Sequence, residues 1–149
     1  MGRPRTFDEH AVLASAGALF VRLGYASTSV DDLVTVLGLH RGSLYQAFGS
    51  KRGLFVTALR RDVDAGLPGL PPEADETVAS TALDLLLVAL LELAPHDGEV
   101  QGLVDAAVAV LADRYPDLGP DGPATLLGRR LLARAGHASA PQPSRPGRT

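Results

Sequence analysis

The sequence predicts an all-α protein, and three observations carry that prediction. Apolar residues recur at i, i+3, i+4 and i+7 along most of the 149 residues, and no stretch alternates with the period of a strand. Several of the periodic runs open near a Ser, Thr or Asp, and most close on Gly or Pro. Residues 28–51, T-S-V-D-D-L-V-T-V-L-G-L-H-R-G-S-L-Y-Q-A-F-G-S-K, read as two short helices joined at Gly38, with a Ser-Lys pair opening a third.

The elements follow in order. Thr6-Phe7-Asp8-Glu9 has the spacing of a capping box, with Thr6 as N-cap and Glu9 reaching back. Val12, Leu13, Ala16, Leu19, Phe20 and Leu23 then form one apolar stripe. Gly24 is expected to end that helix as a left-handed cap. Ser29-Val30-Asp31-Asp32 offers a second capping box, for a helix that turns Val30, Leu33, Val34 and Leu37 inward. Gly38 supplies the positive φ for the sharp turn. The next helix is expected over 41–48, with Leu44 and Phe48 inward at i, i+4 and Arg41, Ser43, Tyr45 and Gln46 outward. Ser50 caps a fourth helix with Leu54, Phe55, Ala58, Leu59 and Val63 inward.

The run G-L-P-G-L-P-P at 66–72 breaks the helical pattern and divides head from body. Body helices are expected over about 73–94, stopped by Pro95, over about 98–115, stopped by Pro116, and over 123–136, with Pro123 at the first helical position. Residues 137–149, rich in Pro, Ser, Ala and Arg, predict a disordered tail. The expected organisation is a head over 1–65, a body over 66–136 and a tail over 137–149.

Composition narrows the function. An apolar share of 46% suffices for a real core. With no cysteine, disulfides, thiolate metal sites and cysteine nucleophiles are excluded, which fits a cytoplasmic protein. Asp8, Glu9 and His10 interrupt the first apolar run, so a signal peptide is not expected. The most apolar stretch, 85–91, is far short of the ~20 residues of a membrane span and predicts a buried helix. The net charge of −3 is unevenly spread: residues 1–61 hold eight Lys and Arg against four Asp and Glu, and residues 62–149 hold six against thirteen. A basic head on an acidic body is the footprint of a protein that meets nucleic acid at one end.

A two-turn helix is not stable alone. Clasped by neighbours, it offers a polar face that fits the major groove. The stretches A-G-A-L-F-V-R-L-G-Y-A-S-T-S-V-D-D-L and L-G-L-H-R-G-S-L-Y-Q-A-F-G-S-K, with the following G-L-F, resemble the N-terminal DNA-binding domain of the tetracycline-repressor-like (TetR) family of bacterial transcriptional regulators. The resemblance implies a helical homodimer whose heads bind a palindromic operator in double-stranded DNA, with half-sites near one helical turn apart, and whose body binds a small-molecule effector that releases it.

Carried onto this sequence, the resemblance places Arg41, Gly42 and Ser43 at the start of the recognition helix and Gln46 at a base-facing position. It makes Tyr45 and Lys51 phosphate contacts, sets Thr28 and Ser29 where the family holds phosphate, and likens Arg3 and Arg5 to a basic arm. Lysine is disfavoured near a helix N-terminus, which agrees with a phosphate role for Lys51. Three features depart from the family pattern. His40 replaces a serine or threonine and weakens an N-cap. Ala47 stands where a histidine or aromatic is frequent. Only about three helices follow the head.

The body offers two candidate effector contacts. Asp84 and Glu92 interrupt an apolar helix and lie about 80° apart on it. They read either as a narrow polar edge facing water or as acids of an effector pocket. His10, His40, His96 and His137 lack metal-ligand spacing, and no catalytic triad, phosphate loop or carboxylate pair stands out, so neither an enzyme, a cofactor nor a metal is expected. An alternative keeps the DNA-binding head but makes the short body a protein-interaction module with no effector.

Overall fold

Asp8 opens the first helix of the computed structural model, which describes residues 7–71 and 80–136. Its carboxylate accepts from the backbone N–H groups of His10 and Ala11, so helix α1 runs Glu9–Leu23. This corrects the expected cap at Thr6, which lies outside the described residues together with Arg3 and Arg5. Two cap-forming residues stood two apart in the sequence. The one nearer the apolar stripe satisfies the first-turn donors.

α2 (Val30–Leu37) begins at the expected capping box, with Ser29 and Asp32 each bonding the other's backbone. Gly38 adopts φ 63°, ψ 28°, the left-handed conformation that redirects the chain. α3 (Arg41–Phe48) starts at His40, whose side chain makes no capping hydrogen bond. Ser50 accepts from Gly53 N–H and opens α4 (Lys51–Arg61).

α4 passes into a single π-helical turn over Asp62–Gly66. α5 (Thr81–Val88) is capped by Ser80 and buries every residue from Ala82 to Val88 on all sides. The expected start of this helix near residue 73 lies outside the described residues; the described helix begins eight residues later. It continues through a π turn (Ala89–Leu93) and a 3₁₀ turn (Ala94–His96) that carries Pro95. α6 (Gly98–Arg114) is capped by Asp97, and α7 (Gly122–Arg134) has Pro123 in its first turn. Residues 137–149 lie outside the described residues. Seven α-helices and no strand occur among the described residues.

α1 packs against both α4 and α5, α7 closes against α5, and α6 closes against α7 and the π turn that continues α5. One buried apolar cluster therefore runs from Leu13 through Leu33, Leu44 and Phe55 to Leu86, Leu111 and Leu127. At its head end the rings of Phe20, Tyr25 and Phe55 meet with centroids 5.1–5.8 Å apart, two of the three contacts edge-on.

Leu44 is fully buried in this cluster and is the only residue of α3 in that class. Leu44→Ala should cost about 2–5 kcal/mol through the cavity left behind, read as a lower midpoint in urea unfolding. An unchanged midpoint would mean that α3 does not depend on this anchor.

Candidate nucleic-acid interface

α2, the Gly38 turn and α3 form a helix-turn-helix, and α3 lays its polar side on the surface. Leu44 faces inward; Arg41, Gly42, Tyr45 and Gln46 are exposed, and Ser43 and Phe48 are half-buried. Tyr45 exposes 41% of its surface. Among the described residues, the Ser43, Tyr45 and Gln46 side chains form no hydrogen bonds with the rest of the chain, so their donors and acceptors are available to base edges and phosphates. Arg41 is different: its guanidinium pairs with the exposed Asp31 carboxylate of α2. An exposed pair of this kind is weak and screened by salt, so the arginine can exchange partners.

Thr28, Ser29 and Lys51, which the resemblance sets at phosphate positions, all have hydrogen-bond partners within the chain. Thr28 is fully buried, and its hydroxyl donates to the Gly24 carbonyl at 2.6 Å. Its side chain therefore locks the α1–α2 turn and is not presented to a ligand. The Ser29 hydroxyl and backbone N–H both donate to Asp32, at 2.6 and 2.9 Å, as part of the α2 cap. The Lys51 ammonium donates to the Tyr25 and Thr28 carbonyls at 3.0 and 2.9 Å and sits 4.4 Å from the centroid of the Tyr25 ring. These carbonyls explain a lysine at the first position of α4, where the helix dipole disfavours it. One of its three ammonium hydrogens is left over.

The α1–α2 turn needs Gly24. Its φ of 83° with ψ of 161° is a conformation that side chains resist, distinct from the left-handed cap expected there. A Cβ at this position would also stand 2.8 Å from a carboxylate oxygen of Glu92.

Asp84 and Glu92, candidates for either a polar edge or an effector pocket, have partners within the chain. Asp84 is buried and takes a two-pronged grip from Arg130 of α7, with both N–O distances 2.7 Å. Both of its oxygens are spent on this pair, so it is neither a solvated edge nor an open ligand contact. Glu92 reaches back to the head and accepts from the Tyr25 and Ala26 backbone N–H groups at 3.2 and 2.8 Å. It also borders an open groove of about 380 Å³ between the end of α1 and α7, with Leu87, Leu91, Leu131 and Arg134.

A second polar bridge joins head and body. Arg52 of α4 binds both oxygens of Asp97, the α6 cap, at 2.6 and 2.8 Å, and reaches Glu99 at 2.9 Å; Arg60 binds Glu99 at 3.1 Å. The Arg52 guanidinium, helped by the Glu99 and Val100 N–H groups, holds the Asp97 carboxyl at about 2, below its ordinary 3.8. Sequence reasoning passed over Tyr25, Arg52, Asp97 and Arg130. Only Asp97, a cap residue ahead of an apolar run, carried a local signal.

Residues 12–58 match the model of the bacterial regulatory proteins of the tetR family. The uncharacterized HTH-type transcriptional regulator YezE of Bacillus subtilis (strain 168) is 29% identical, over 77% of this chain and 70% of that protein. The HTH-type transcriptional repressors ComR and BdcR of Escherichia coli (strain K12) are 44% and 42% identical, each over 42% of this chain, but over only 30% and 32% of their own lengths. Those two matches extend over 63 and 62 residues, and the chain spans about a third of those relatives.

Two outcomes are expected. The Asp97 carboxyl should titrate near pH 2 by NMR, and in Arg52→Ala its midpoint should rise toward the ordinary carboxylate range. Because the folded value lies below the unfolded one, this group's contribution to stability is present above pH 4 and fades as pH falls toward 2. A wild-type midpoint near 4 would break the assignment. Asp84→Ala should destabilise by about 3 kcal/mol, since it strands the Arg130 charge, whereas Asp84→Leu with Arg130→Met should recover most of that loss. An additive double mutant would show that the two side chains act independently.

Proposed function

We propose that this chain, whose residues 12–58 match the model of the tetR family of bacterial regulatory proteins, is a sequence-specific DNA-binding repressor, acting in the cytoplasm as a homodimer on a palindromic operator. The observation that carries this reading is the outward face of α3, where Ser43, Tyr45 and Gln46 stand exposed or half-exposed with unspent hydrogen-bonding groups. Gln46 and Arg41 read base edges, for which amide and guanidinium geometry is suited. Tyr45, Ser43, the Gly42 backbone and the remaining Lys51 hydrogen meet phosphate and set register. Arg41 leaves Asp31 to do so. Thr28 and Ser29 contribute by fixing the turn and the α2 cap, and Arg5 belongs to a basic arm.

Exposed leucines of the body support two-fold pairing. Leu131 and Leu132 of α7 expose 41% and 54% of their surface, and Leu91 nearby exposes 60%, an apolar face that favours a partner of the same kind. Release of the operator is driven by a small-molecule effector with unequal affinity for two dimer states. The groove beside Leu87 and Leu131 supports a ligand in the body. The same exposed leucines favour the second reading, a body that binds protein and no effector. A stabilisation of the protein by a metabolite panel supports the first, and its absence the second.

The test is selection of bound duplexes from random DNA, with solution mass measured alongside. The selected sequences are expected to be palindromic, with half-site centres about 34–36 Å apart or somewhat more, bound two chains per duplex. Arg41→Ala or Gln46→Ala should relax preference at one base pair per half-site, costing about 1–3 kcal/mol there. No enrichment at low salt, or equal losses on all duplexes, would refute base reading by α3.

A further inference from the structure

We infer that Glu92 is a positioning residue for DNA binding: a carboxylate from the body that fixes the angle at which α2 and α3 are presented. The inference rests on the reading of α3 as the DNA-contacting helix and adds a residue to it.

Glu92 lies in the π turn that follows α5, 66 residues beyond Ala26 in the chain. Its two oxygens take the backbone N–H groups of Tyr25 and Ala26, one each. On the other side of the same peptide segment, Lys51 takes the carbonyls of Tyr25 and Thr28. The turn is therefore tied to the body through its donors and to α4 through its acceptors. Buried Thr28 closes it internally, and Ser29, the cap of α2, follows directly. A carboxylate has the acceptor geometry for two adjacent N–H groups, and such charge-assisted bonds exceed neutral ones. Gly24 leaves the room that the carboxylate needs, since a Cβ would stand 2.8 Å from its oxygen. A π turn places one residue off the regular helical spacing, and such turns recur where a side chain must be aimed. Movement of the body relative to α1 must then either carry the turn with it or break these bonds.

Electrostatics and positioning predict opposite signs, which makes the inference testable. Removing a negative charge from a DNA-binding protein ordinarily tightens binding. Removing a positioning group weakens it. The experiment uses the full chain, the duplex with the highest affinity from random-sequence selection, and the variants Glu92→Ala, Glu92→Gln and Asp105→Asn. Asp105 is exposed on α6 and supplies the control for loss of charge alone. Amide hydrogen exchange is followed in the same samples without DNA.

Glu92→Ala is expected to bind the duplex about tenfold more weakly, a loss on the scale of charge-assisted hydrogen bonds. Glu92→Gln, which keeps one acceptor oxygen, should fall between it and wild type, and Asp105→Asn should bind at least as well as wild type. Exchange should quicken at Tyr25 and Ala26 and also across residues 30–48. If Glu92→Ala fails to fold, Glu92→Gln carries the comparison. Affinities of the Glu92 variants at or above wild type, or faster exchange confined to residues 25–26, would overturn the inference. If wild type binds no duplex, the DNA-binding reading itself fails, while the exchange across 30–48 still decides whether Glu92 orders these helices.

Discussion

Everything in the head depends on how α3 is anchored. Eight residues form barely two turns, too few to be helical in isolation. The helix exists because Leu44 is sealed in a core built by its neighbours and because Gly38 and Gly49, both with positive φ, turn the chain sharply at each end. One inward anchor on so short an element leaves most of its surface outside. The exposed polar face is thus the complement of the burial, produced by the same spacing.

The core that anchors α3 is shared with the body. α1 touches α4 on one side and α5 on the other, so the buried cluster continues without a break from Leu33 and Leu44 into the wholly buried α5. Polar bridges follow the same path. Arg52 grips the cap of α6, and Glu92 grips the turn ahead of α2. Apolar contacts of this kind supply cohesion but little direction; the charged pairs, with fixed donor and acceptor geometry, supply the direction. The acidic body is therefore more than a counterweight to a basic head, because three of its acids, Glu92, Asp97 and Glu99, are spent on holding that head.

What the sequence revealed was local. The Ser29–Asp32 box, the Gly38 turn, the Ser50 cap and the Leu44 anchor all lie within a few residues of the backbone they control, and the structure agrees with each. Ahead of α1 stand two cap-forming residues, Thr6 and Asp8, and local spacing alone does not choose between them. The acids were harder. Asp84 finds Arg130 46 residues away, and Glu92 finds backbone 66 and 67 residues away. Helical spacing on α5 says which side an acid occupies but nothing of what waits there. Thr28 and Lys51 likewise have partners in the turn: the buried Thr28 hydroxyl donates to the Gly24 carbonyl, and Lys51 gives two of its three ammonium hydrogens to the Tyr25 and Thr28 carbonyls. The tetR family match covers residues 12–58, the part that local signals already described.

The central claim is that the polar side of α3 is the surface that meets DNA. The most direct measurement is a chemical-shift map of isotopically labelled protein titrated with a duplex at low salt. The largest changes are expected on Arg41, Gly42, Ser43, Tyr45 and Gln46, with little change on the far face of α6. Changes centred on α6 or α7, with α3 untouched, would contradict it.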